Sequence, residues 1–145
     1  MAKWGKCDFK QLKNMQKQLE AAEKNIDDFC ALCAKELSAR LITLAIKRTP
    51  VGQYPAESGM TGGTLKRGWT GGIIEKQGNA YVVSVINQVF YASFVEYGHR
   101  TSNHKGWVEG KFMLTISEKE IERMAPQLLE KKLQKFLMGC MNNAK

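Results

Sequence analysis

The sequence predicts an α+β domain in which a long N-terminal helix and a C-terminal helix pack on a small antiparallel β-sheet, with long Gly-rich loops. Three observations predict it. Apolar residues recur every three or four positions over residues 9–46, a β-rich hairpin pattern covers residues 69–87, and a second helical stripe follows Ser117. The length of 145 residues suits a single domain spanning residues 1–145.

The first element is one helical stripe. Its members are Phe9, Leu12, Met15, Leu19, Ala22, Ile26, Phe29, Cys33, Leu37, Leu41 and Leu44. An unbroken helix of this length would measure ~55–60 Å at ~1.5 Å per residue, longer than the rest of the domain is wide. Either the helix breaks near residues 25–28, where capping residues cluster, or residues 1–25 project as a helical arm. The stripe widens after Ile26, so we expect the second half to be buried, and Pro50 ends the element.

Residues 52–72 are predicted to form a Gly-rich loop, because they hold seven of the thirteen glycines. The segment lacks the Gly-Lys-Ser/Thr ending of a phosphate-binding P-loop. Long loops of this kind are usually functional or disordered, so we expect this one to become ordered on binding a partner.

The β-region consists of two strands, residues 69–76 and 81–87, joined by a turn at residues 77–80. Both faces of the second strand are largely apolar. We therefore expect a helix to cover one face of the sheet and a neighbouring molecule to cover the other.

The C-terminal helix is predicted to begin at Ser117, which forms a capping-box pattern with Glu120. Pro126 is expected to break or kink it early, and Gly139 is expected to end it.

Residues 91–98 are predicted to form one buried helical turn that anchors a loop at residues 98–111. Tyr91, Phe94 and Val95 share a helical face and are expected to be buried beneath that loop. Gly98 ends the turn, since glycine tolerates a positive φ. Glu96 is expected to be a structural acid that caps backbone amides of the loop or pairs with Arg100. The anchor is thus Tyr91, Phe94, Val95, Glu96, Tyr97 and Gly98.

The residue types that build metal or catalytic sites are sparse. Of the four cysteines, Cys30 and Cys33 lie within a helical segment and are expected to be small core residues. His99 and His104 lie on a polar loop without a cysteine nearby, and they lack the serine and aspartate setting of a catalytic triad. We therefore expect no metal, no cofactor and no enzymatic activity.

Charge and hydropathy limit the possible partners. The net charge of +8 is spread along the chain rather than concentrated in a basic run, so we expect only weak, salt-sensitive DNA binding without sequence preference. No apolar run approaches the ~20 residues that span a bilayer, and no apolar segment of a secretory signal follows the N-terminal charges. The sequence thus favours a chain that stays in the cytoplasm where it is made.

One motif resembles a known family. Tyr91-Ala92 followed by Val95-Glu96-Tyr97-Gly98 is similar to the YA…(Y/F)VE(Y/F)G signature of minor structural proteins of tailed bacteriophages, which serve in tail completion, head–tail joining or the neck. Residues 49–51, 63–69 and 110–113 are similar to further segments of that family. The chain departs from the pattern in the insert at residues 53–61 and in Lys111, which stands where members carry a proline.

The resemblance implies a virion protein of the neck or tail that is assembled in the bacterial host cytoplasm. It implies a homo-oligomeric ring, expected to be a hexamer, around a channel through which double-stranded DNA passes without sequence-specific binding. The partners implied are other neck proteins, namely a connector or stopper, a tail terminator or the tail tube, and not a membrane. On this interpretation the loop residues that dock on a partner are His99, Arg100, His104 and Trp107.

Two alternatives remain at the level of the sequence. The basic net charge is compatible with a nucleic-acid-binding accessory protein of the same mobile element. A small enzyme is a more distant alternative.

Overall fold

The structure is a computed structural model that describes residues 9–142. The first eight residues of the predicted arm, including Cys7, lie outside the described residues, as do residues 143–145.

Long helices at both ends of the described chain enclose short strands and short helices, so the predicted α+β arrangement is confirmed. In chain order the elements are α1 (Lys10–Arg48), a 3-10 turn (Ala56–Ser58), α2 (Thr64–Arg67), β1 (Trp69–Gln77), β2 (Ala80–Asn87), α3 (Ala92–Tyr97), β3 (Gly98–Arg100), β4 (Trp107–Glu109) and α4 (Met113–Asn142).

Helix α1 is continuous over 39 residues, which corresponds to ~58 Å, so the first of the two alternatives, a break near residues 25–28, does not occur. It ends at Arg48, two residues before Pro50, as predicted. Helix α4 runs antiparallel to it, because Arg48 pairs with Glu120 at one end while the Gln18 side chain donates to the Met141 carbonyl oxygen at the other, over 2.9 Å. The two helices lie side by side at least as far as Met15, which lines a small cavity with Leu137 and Met141 of α4.

Strands β1 and β2 form the predicted antiparallel hairpin, with Trp69 opposite Asn87 and Gln77 opposite Ala80. Gly78, in the turn, has a φ of +61°. The register shifts between Gly71 and Ile74, and Ile73 in this irregular stretch is 85% exposed.

The two faces of the hairpin differ in burial. On β2, Tyr81, Val83 and Val85 are half-buried, while Val82 and Ile86 are 38% and 47% exposed. One face is therefore covered within the chain, and the outer face leaves apolar side chains in solvent.

The core joins elements that are far apart in sequence. Ala45, Leu65, Trp69 and Met113 form its buried cluster. The indole Nε1 of Trp69 donates to Thr49 Oγ1 over 2.7 Å, and Thr49 Oγ1 donates to the Ala45 carbonyl oxygen over 2.6 Å. The N–H group of the buried Trp69 indole therefore has a hydrogen-bond acceptor.

The segment at residues 52–72 is not a loop throughout. It contains α2 and the first part of β1, and both Leu65 and Trp69 are buried within it. These two large apolar side chains are four residues apart, so burying both fixes the backbone between them despite the surrounding glycines.

The predicted boundaries of α4 are wrong. The helix begins at Met113, four residues before Ser117, and it continues through Pro126 and past Gly139 to Asn142. Ser117 is fully buried inside the helix, where its hydroxyl donates to the Met113 carbonyl oxygen and accepts from Arg48 Nη1. Packing against α1, including the Gln18 contact to Met141, stabilises the helix beyond the glycine.

We predict that Leu65→Ala lowers the free energy of unfolding by about 2–5 kcal/mol, because Leu65 is only 5% exposed and its removal leaves a cavity beside Trp69. Leu32→Ala is the matched control, since Leu32 is 66% exposed and its truncation should change stability by no more than ~0.5 kcal/mol. Urea unfolding of both variants measures the difference. Equal midpoints for the two would show that α2 does not contribute to the core.

Candidate docking site

The predicted loop at residues 98–111 is a short β-hairpin. Strand β3 pairs with β4 so that Gly98 lies opposite Glu109, His99 opposite Val108 and Arg100 opposite Trp107. The hairpin therefore presents its side chains in a defined register.

The tip of this hairpin is closed by its own hydrogen bonds. The Thr101 amide donates to the Gly106 carbonyl oxygen over 3.0 Å, and the Gly106 amide donates back to Thr101 Oγ1 over 3.0 Å. His104 has a φ of +58° in this turn, and its amide donates to the Thr101 carbonyl oxygen. These bonds give a long polar segment a local structure.

Gly98 connects the helical turn to the hairpin. Its φ of +87° confirms the predicted positive value, but its ψ of 171° is extended, so β3 begins at Gly98 itself. A Cβ atom at this position would lie 2.5 Å from the Val108 carbonyl oxygen. Glycine is therefore required both by the backbone conformation and by the close approach of β4.

The carboxylate of Glu96 caps the start of α4. Glu96 is 6% exposed, its Oε2 accepts from the Leu114 amide, and its Oε1 accepts from the Thr115 amide, each over 2.9 Å. The Thr115 hydroxyl also donates to Oε1, over 2.7 Å. The amides it caps thus belong to the first turn of α4 and not to the loop, and Arg100 is not its partner.

Backbone bonds reinforce this junction. The Lys111 amide donates to the Val95 carbonyl oxygen over 2.8 Å, and the Phe112 amide donates to the Glu96 carbonyl oxygen over 3.1 Å. An anion at a helix N-terminus satisfies free amides and interacts favourably with the helix dipole. Glu96 therefore has a structural role, as the sequence predicted, and its position explains why α4 begins before the capping box at Ser117.

The predicted anchor divides between two faces of α3. Tyr91 and Val95 are half-buried and pack against the core cluster, as the spacing indicated. The prediction that Phe94 is buried is wrong, because Phe94 is 54% exposed and Tyr97 is 63% exposed. One helical turn can direct only one side inward, and the pair at positions 91 and 95 occupies that side.

The outward side forms an aromatic surface that the sequence analysis missed. Phe90, in the turn before α3, is 87% exposed, and its sequence spacing from the exposed Phe94 and Tyr97 is that of one helical face. Trp107 is 56% exposed and lies against Gly98, where a Cβ atom would meet its ring at 3.0 Å. The aromatic surface is defined here as Phe90, Phe94, Tyr97 and Trp107. The helical spacing of Phe90, Phe94 and Tyr97 was the sequence signal that could have predicted this surface.

Of the other predicted docking residues, His99 and Arg100 lie beside members of this surface and His104 does not. His99 is half-buried, with its ring 6.1 Å from that of Phe94 and its Nδ1 3.4 Å from the Phe94 carbonyl oxygen. Arg100 is exposed opposite Trp107, while His104 lies apart from them at the hairpin tip. Within residues 9–142, no group of three or more histidine, cysteine or acidic side chains is arranged to hold a metal ion.

The electrostatic contacts outside this site are structural. Hydrogen bonds from Lys76 and Tyr81 hold the pKa of Asp27 below its ordinary value and connect the β1–β2 hairpin to α1. Burial raises the pKa of the Cys33 thiol, which is a core residue as predicted, whereas Cys30 is half-buried. A thiol with a raised pKa is a poor nucleophile at neutral pH.

We predict that Glu96→Ala lowers the free energy of unfolding by about 1–3 kcal/mol, since it leaves two helix amides and a hydroxyl without their acceptor. Glu96→Gln should lose less, because the amide oxygen still accepts. Glu109→Ala is the control, as Glu109 is an exposed acid on the neighbouring hairpin. The capping role is refuted if thermal unfolding of Glu96→Ala matches that of the control.

Comparison with known proteins gives one family. No curated protein and no solved structure gives a significant match to this chain. Among residues 9–142, no helix combines the length and apolar character needed to cross a membrane.

Residues 13–98, more than half of the chain, match the model of the HK97-gp10-like family, described as "Bacteriophage HK97-gp10, putative tail-component". The match ends at Gly98, the last residue of the signature motif, and the chain therefore belongs to this family of bacteriophage tail components.

Proposed function

We propose that this chain forms a ring in the neck of a phage or prophage particle, where it joins the tail to the head connector or completes the tail end. One observation carries the proposal: large apolar side chains are exposed on surfaces that belong to different elements of one small chain. A heterologous interface that closes a ring requires two different patches on each subunit.

The first such patch is the outer face of the β1–β2 hairpin. Ile73, Val82 and Ile86 are 85%, 38% and 47% exposed there, while the opposite face packs against α1. The second is the start of α1, where Phe9, Leu12, Met15 and Leu19 are each more than half exposed. Contiguous apolar surface on a soluble protein usually marks a site of association.

The aromatic surface and the β3–β4 hairpin supply a third contact, which we assign to a neighbouring ring. Large aromatic side chains dominate the energetics of protein interfaces, and this group is held on a junction fixed by Glu96. A preordered surface loses less conformational entropy on binding than a mobile loop. The hairpin is therefore suited to dock on a connector, stopper, terminator or tail-tube protein.

The proposed role is mechanical. A ring of six copies, the number that the resemblance implies, would surround the channel through which double-stranded DNA passes. The net charge of +8 per chain favours tolerance of a polyanion in that channel and requires no base-specific contact.

Imaging of the neck region of intact particles tests the ring. We expect several copies of this chain to form a closed ring with its apolar faces between subunits. A neck that lacks the chain, or holds a single copy, would contradict the proposal.

We predict that Trp107→Ala leaves the fold intact but reduces the number of heads joined to tails in a complementation assay. Removal of a central interface tryptophan typically weakens binding by ~2 kcal/mol or more, which exceeds tenfold in affinity. Met138→Ala is the matched control, because Met138 is 63% exposed on α4, away from the hairpin. If Trp107→Ala joins particles as well as wild type, the hairpin is not the docking surface.

A further inference from the structure

We propose that the start of α1 in one copy docks into a groove on a second copy, so that the ring closes through helix-in-groove contacts. This inference rests on the proposed ring and identifies its interface. The arm is defined here as residues 9–19, and the groove is the open cleft between α1, β2 and α4.

The groove is large and almost entirely apolar. It has a volume of about 840 Å³ and is lined by α1 between Ile26 and Leu37, by β2 at residues 81–83, and by α4 between Pro126 and Leu133. Ile26 and Leu133 on its walls are 37% and 41% exposed, so solvent reaches them in the single chain. Grooves of this kind bind amphipathic helices in other proteins.

The arm has the matching shape. Phe9, Leu12, Met15 and Leu19 are 58%, 61%, 56% and 58% exposed and lie along one side of the helix. At 1.5 Å per residue, the stripe is ~15 Å long and the α1 wall of the groove is ~16 Å long. The stripe and the cleft therefore have the same length. Met15 and Leu19 also border a small cavity with Leu137 and Met141 of the same chain, so only the part of each side chain that is in solvent is available to another copy.

A chain cannot fill its own groove with its own arm. The arm and the α1 wall of the groove both belong to one helix, which is continuous from Lys10 to Arg48, so the arm points away from the groove along the same axis. The arm can therefore occupy only the groove of another copy. Because the arm and the groove are different surfaces, each copy can donate to one neighbour and accept from the other, which is the head-to-tail arrangement of a ring.

Charge also favours this pairing. Residues 9–19 contain three lysines and no acidic residue, and they flank the apolar stripe. Glu130 is the charged residue in the groove lining, and Glu23 is exposed three residues before Ile26. The basic arm is thus complementary to these two acidic residues, and an arm is less suited to a second arm of the same charge.

Photo-crosslinking of the purified full-length chain tests the contact. The photoreactive residue benzoylphenylalanine replaces Leu12, and isotopically light and heavy copies of this variant are mixed. Mass spectrometry then identifies crosslinks between copies as those that join a light peptide to a heavy one. We expect them at residues 26–37 or 126–133 of the other copy. The same probe at Asn14, roughly 200° around the helix from Leu12, should give few of them. Crosslinks from arm to arm, crosslinks elsewhere or no crosslinks between copies would overturn the proposal.

Mixing two variants tests the direction of the contact. Leu12→Lys disables the arm and Leu133→Lys disables the groove, and each alone should lose the oligomers that wild type forms, as measured by native mass spectrometry. Together they retain one intact arm and one intact groove, so the mixture should recover a two-chain complex and nothing larger. Asn14→Lys and Gln127→Lys add the same charge outside the stripe and the groove lining, and should assemble as wild type does.

Circular dichroism first establishes that both variants are folded. The head-to-tail contact is then refuted if either variant assembles fully on its own, or if the mixture does not form the two-chain complex. These measurements use the purified chain alone. A ring seen in the neck with crosslinks outside the groove would leave the proposed function standing and remove this interface. If the chain forms groove crosslinks but is absent from the neck, the interface stands and the proposed function is wrong.

Discussion

The interaction on which the structure depends is the cap that Glu96 forms on α4. Its carboxylate accepts the amides of Leu114 and Thr115, residues that lie 18 and 19 positions further along the chain. This contact fixes where α4 begins and holds α3 against that start. The β3–β4 hairpin leaves and returns at the same junction, so its orientation follows from the cap. Met113, adjacent to the cap, is fully buried in the core with Ala45 and Trp69.

The shape of the chain follows from a small core and two long helices. The buried hydrophobic residues within the described part are Cys33, Ala45, Leu65, Trp69 and Met113. Small domains bury a smaller fraction of their surface than large ones, and helices that extend beyond the core leave part of their apolar stripe in solvent. Here that surplus lies on the arm, on the walls of the groove and on the outer face of the hairpin. A protein that functions within an assembly can leave such surfaces for its neighbours to cover.

The signature motif divides into residues that stabilise the fold and residues that are exposed. Tyr91 and Val95 face the core, which fixes the turn, and the same turn then directs Phe94 and Tyr97 outward beside Trp107. The residues of the signature therefore separate into an inner pair that stabilises and an outer group available for contact. A loop without the Glu96 junction would present the same side chains with a larger loss of conformational entropy on binding.

The sequence by itself determined the elements whose signals are local. The helical stripe of α1, its end before Pro50, the turn at Gly78 and the positive φ of Gly98 all follow from residue spacing or from the conformations that proline and glycine allow. The short signature motif also indicated the phage family, which the match over residues 13–98 then showed.

Only the tertiary structure decided the features that depend on distant partners. The start of α4 is set by Glu96 rather than by the local capping box at Ser117. The buried carboxylate of Glu96, on α3, accepts helix amides that precede Ser117 in the chain, so the helix begins before the capping box. Leu65 is buried despite its Gly-rich surroundings, since α1 and α4 place Ala45 and Met113 beside it. Phe94 is exposed because its turn has only one inward side. Sequence patterns report which residues can share a face, and packing between elements decides which face is buried.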